Sequence, residues 1–216
     1  MTADAAPIAP PAPFPRIRYV RSADPTLWEV THNGVRLTLA RLFLALDGLR
    51  SNHGNAPRRA EVEAFFRAWK VALDFMNNVH DAMDAEVRPW QRSKDGLGIV
   101  DESIHDVESA ILMRCNGITK LEQNLSHRST PPDLVVLSVS NELATIASGL
   151  LESFLKEETL LRAAIARSPA GYSAVEARYW AAVAGYPGAV AGCVGWMAEG
   201  ERALWGKGHP GADLGE

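Results

Sequence analysis

Cysteine is scarce in this sequence: Cys115 and Cys193 are the only two among 216 residues, far apart and outside any C-x-x-C pattern. That excludes a disulfide framework and a cysteine-built zinc site, and it suits a cytoplasmic protein. Blocks of positive charge are also missing, because 22 Lys and Arg are interleaved with 26 Asp and Glu for a formal charge of −4. Nothing in that pattern attracts nucleic acid or an anionic membrane, so neither is expected as a partner. The sequence has no phosphate-cradling glycine loop, no dinucleotide fingerprint and no nucleophile elbow, which removes common nucleotide and hydrolase chemistries. Period-two alternation is missing too, which argues against a sheet. The one long uncharged run, residues 179–198, is rich in Ala and Gly and broken by Tyr186-Pro187-Gly188. It reads as a closely packed helical hairpin and not as a membrane span.

What the sequence does have is helical periodicity. Residues 1–22, opening "MTADAAPIAPPAPFPRIR", read as a disordered Pro/Ala-rich arm. "SADPTLWEV" then offers Ser22 or Asp24 as a helix cap with Pro25 in the first turn. Apolar residues at alternating steps of four and three mark one helix over 26–49 (Val35, Leu39, Leu42, Leu46, Leu49) and a second over 58–88 (Val62, Phe66, Trp69, Leu73, Met76). A third spans 99–126 with Ile104, Val107, Ile111, Ile118, Leu121 and Leu125 on its apolar side. After "STPPD", a fourth covers 133–167 with Ala144, Ala147, Leu151, Phe154, Leu161 and Ile165. The fold class is therefore all-α, an antiparallel four-helix bundle over 23–168. Two shorter helices over 169–206 pack on it and are the candidate surface for a homo-oligomer; 207–216 is a tail.

Five polar residues fall on or beside the apolar seams: His32, His80, Asp84, His105 and Glu158. Ionised carboxylates on an apolar seam are costly unless paired or coordinated. A cation shared among the three imidazoles and two carboxylates explains all five, and mixed His and carboxylate donors on facing helices suit iron or manganese. His53, His127 and His209 read as exposed bystanders.

These residues resemble the hemerythrin-like, HHE cation-binding, family. "THNGVRLTLARL" places Arg36 four after His32, as in the family's first helix. His80 and Asp84 with "RPW" are similar to its His-x3-Glu and aromatic-Pro signature, with Asp for Glu. "SIHDVES" supplies His105 but has Ser109 where a second histidine is usual, and "SFLKEETLL" keeps Glu158 but has Ser153 and Lys156 at histidine positions. "GCVGWMAEG" is similar to the tail of bacterial members, and the resemblance spans about residues 26–205. It implies a non-haem centre of one or two irons, with manganese as the alternative metal, held by His32, His80, Asp84, His105 and Glu158. Glu102, Glu108 and Glu157 are nearby substitutes for missing ligands, although each also reads as a solvated helix-face charge.

Three functions follow from that reading: binding of dioxygen or a related small molecule at the iron, an iron- or manganese-dependent oxidase or oxygenase, and a metal-free bundle with a binding or structural role.

Overall fold

The computed structural model describes residues 13–20, 25–51, 56–93, 102–127, 130–195 and 197; for 102–106, 108, 109, 112 and 126 it describes the backbone alone. The described residues are helical with no strand. The helices are α1 (Leu27–Arg50), α2 (Arg59–Ala82), α3 (Arg88–Arg92), α4 (Glu102–Ser126), α5 (Pro132–Arg167), α6 (Tyr172–Ala184) and α7 (Ala189–Val194), with a π-helical turn, Met83–Val87, joining α2 to α3. α1, α4 and α5 begin and end within three residues of the bounds expected from sequence periodicity, whereas the second helix, expected over 58–88, ends as α2 at Ala82 and continues through the π-helical turn into α3.

Local chemistry sets the helix ends. The cap of α1 is Thr26, not Ser22 or Asp24, which lie outside the described residues; Thr26 Oγ1 accepts from the Glu29 amide at 3.3 Å while Glu29 Oε2 accepts from the Thr26 amide at 3.0 Å. This reciprocal box satisfies two amides that a helix start otherwise leaves open. The same carboxylate takes two bonds of 2.7 Å from Arg162, so the start of α1 is pinned to the end of α5. At the far end of α2, Pro89 has no amide to give and its ring crowds the carbonyl four residues back. The chain widens there, and the Arg88 amide bonds to the Met83 carbonyl, five residues away.

Side-chain pairs give the helix directions. Glu29–Arg162 and His32–Glu158 set α1 antiparallel to α5. Arg114–Glu142, with Ile111 against Gly149, sets α4 antiparallel to α5. The interior between them is filled by Trp28, Leu39, Phe66, Trp69, Ile118, Leu143, Ile146 and Leu161, each under 2 % exposed. Burying each such side chain contributes roughly 1.5–3 kcal/mol before ordering entropy is subtracted. α7 lies so close to α1 that a Cβ on Gly34 would stand 2.8 Å from Cys193 Cα, so only glycine fits there.

Three sequence expectations change. Part of the arm read as disordered, residues 13–20, has no regular secondary structure but lies along α1, with Phe14 stacked on Phe43 at 4.3 Å and Val20 bonded to Asn33. Val107, assigned to an apolar side, is 36 % exposed. Asp84 is exposed rather than facing the interior. By length and composition α5 is apolar enough to cross a bilayer, whereas the described part of the run 179–198 holds the end of α6, a turn and α7.

Candidate metal centre

The site starts from His32, which α1 carries into the interior with no exposed surface. Its ring lies between two aromatic neighbours, stacked on Phe154 at 3.9 Å and tilted against Trp28 at 4.6 Å. Nδ1 is 3.0 Å from Glu158 Oε1, and Nε2 is 3.4 Å from Glu157 Oε2. Both carboxylates come from α5 and both are buried, at 5 % and 4 % exposure for Glu157 and Glu158.

Glu158 is also gripped by Arg36, one turn beyond His32. Nη1 donates to Oε1 at 2.6 Å and Nη2 to Oε2 at 3.1 Å, a two-pronged pairing that matches the planar fork to the carboxylate. Burial alone pushes the Glu158 carboxyl up; the hydrogen bonds and charges of His32 and Arg36 more than reverse this, leaving it below the ordinary carboxylate value. The Arg36 guanidinium also sits 5.4 Å over the Phe154 ring, where the ring face attracts it.

His80 is half-buried on α2 and pairs outward, its Nδ1 being 3.6 Å from Asp84 Oδ2. Asp84 Oδ1 in turn takes Arg88 Nη1 at 2.8 Å. His32 and His80 nevertheless line one small cavity of about 50 Å³, whose other walls include Leu73, Met76, Met83, Ile111, Cys115 and Phe154. That volume admits water or a diatomic molecule, and its walls are mostly apolar. Burial raises the Cys115 thiol to about 12, so it remains protonated at neutral pH.

Of the five residues expected to bind metal, the structure brings His32 to Glu158 and His80 to Asp84, and places both histidines on one cavity. His105 lies on α4 with its side chain outside the described residues, as do Glu102, Glu108 and Ser109. Among the described residues, no three of His, Cys, Asp and Glu converge as a metal-holding group. Glu157, read from sequence as a solvated charge, is buried against His32. Ser153 is buried, whereas Lys156 and His127 are exposed. No family model matches the chain, and searches of curated proteins and solved structures gave no significant match.

A di-iron centre of the kind the resemblance implies does not fit these residues. Three histidine positions hold Ser109, Ser153 and Lys156, and Glu158 Oε1 already meets both His32 and Arg36 while Oε2 accepts from Arg36, which leaves no lone pair on Oε1 for a bridge. His32 Nε2 and Glu157 Oε2 have the spacing of two donors to one ion, with no third donor grouped beside them among the described residues. Donors about 2.1 Å from a tetrahedral ion stand about 3.4 Å from one another. The His32 Nε2 to Glu157 Oε2 separation is 3.4 Å, and the opposite ring nitrogen is held by a carboxylate in the manner of metal-binding histidines.

Proposed function

We propose that the chain is a hemerythrin-like antiparallel four-helix bundle that holds one transition-metal ion, iron before manganese, at His32 and Glu157. It would bind dioxygen or a similar small molecule in the adjoining cavity. The observation that carries this reading is the buried His32 imidazole with a carboxylate at each ring nitrogen, opening onto a cavity shared with His80. Glu158 and Asp84 orient the imidazoles instead of coordinating, and Arg36 holds Glu158 in place. His105 is the third imidazole that the resemblance implies. When bound, the ion would supply redox and small-molecule binding chemistry; the chain's own residues present the donors, fix the His32 ring and line the cavity with mostly apolar walls.

A second reading has its own support. If His32 carries a proton on each nitrogen, its charge and that of Arg36 balance those of Glu157 and Glu158, and the cluster closes without a metal. Elemental analysis after anaerobic reconstitution with ferrous iron separates the two. The metal reading requires roughly one ion per chain, falling steeply in Glu157→Gln, whereas less than about 0.2 per chain leaves the metal-free bundle.

A further inference from the structure

Asn33 occupies a helix-interior position with no exposed surface, where an amide is neither a strong helix former nor an apolar filler. Its side chain does what a neighbouring strand would do. Nδ2 donates to the Val20 carbonyl at 2.7 Å, and Oδ1 accepts from the Val20 amide at 2.9 Å, so both backbone groups of one residue are satisfied. The second lone pair of that oxygen takes Arg36 Nη1 at 3.1 Å. Arg36 Nη1 is the same nitrogen that donates to Glu158 Oε1, which in turn meets His32. The other end of the segment 13–20 is fixed by Phe14, stacked on Phe43 with the Arg50 guanidinium 5.6 Å from its ring centre.

We propose that Asn33 is a positioning residue through which the segment 13–20, lying antiparallel along α1, holds the Arg36–Glu158–His32 network in register. The two-pronged pairing with Glu158 sets the plane of the guanidinium. The Asn33 oxygen adds a second anchor, and that anchor is itself oriented by Val20. Coupling of this kind is reciprocal: loosening the segment loosens Arg36, and disturbing Glu158 loosens the segment. The consequence for metal affinity rests on the site proposed above; the coupling itself does not.

The test is amide hydrogen exchange in the full chain. In Glu158→Gln, the Val20 amide is expected to exchange about tenfold faster than in the parent, with a smaller change at Leu143 in the core. An unchanged Val20, or a rise matched at Leu143, overturns the coupling. Should Glu158→Gln not fold, Arg36→Lys keeps the charge, loses the fork and is read at the same amide. Phe14→Ala tests the opposite direction, because it frees the segment without touching the network. It should speed Val20 exchange and weaken ferrous iron binding several-fold. Faster exchange with unchanged affinity overturns the positioning role. If the parent itself binds no iron, the metal site fails and the exchange measurements alone decide the coupling.

Discussion

Replacing Arg36 by methionine leaves Glu158 in the interior without its fork partner. Arg36 is 3 % exposed and Glu158 4 %, so water cannot take over either bond at 2.6 or 3.1 Å. Breaking a buried pair from one side costs about 3–5 kcal/mol, and the lost cation over Phe154 adds about 0.5–2 kcal/mol. Removal of the second anchor for Asn33 acts in the same direction. Urea unfolding is the assay, with the midpoint shift multiplied by the slope. Arg36→Lys should fall between parent and Met, because it restores charge without the two-pronged geometry. The double variant Arg36→Met, Glu158→Met should recover part of the loss, since it leaves no lone carboxylate. An Arg36→Met protein within about 1 kcal/mol of the parent would show that the pair does not carry the interior as described.

Gly34→Ala should lower the melting temperature, because a Cβ 2.8 Å from Cys193 Cα forces α1 from α7 at an overpacking cost of about 1–3 kcal/mol. Thermal melts followed by circular dichroism check this, and an unchanged midpoint contradicts the close approach. Glu158 is held below its ordinary value of 4.5, so its contribution is present above that pH and is lost as pH falls through the lower folded value. Glu158→Gln should therefore lose stability less steeply than the parent below about pH 4.5, measured by urea unfolding across that range. Cys115 and Cys193, each raised to about 12 by burial, should resist iodoacetamide at pH 7.5 in the native protein and react once it is unfolded. Rapid labelling of the native protein would contradict that burial.

Much of the helical layout was legible because steps of four and three record which side of a helix meets the interior, and Val35, Leu39, Leu42 and Leu46 are all buried. The inward placement of His32 and Glu158 was legible for the same reason. Asp84 was not: it continues the stripe through His80, but it falls within the π-helical turn Met83–Val87, where it is exposed while Met83 and Val87 are buried. The burial of Glu157 was hidden because adjacent residues of a helix point about 100° apart. Only the imidazole arriving from α1 distinguishes it from exposed Lys156. The docked segment 13–20 belongs to an arm whose Pro/Ala-rich composition reads as disordered, and nothing in helical periodicity marks Asn33, the residue that grips it.

The most direct measurement is the iron-edge anomalous difference map of a crystal loaded anaerobically with ferrous iron. The expected result is one peak per chain, about 2.1 Å from His32 Nε2 and from a Glu157 oxygen, with Arg36 still on Glu158. A map with no peak there, or with two irons bridged by Glu158 and the Arg36 pair broken, contradicts the proposed centre.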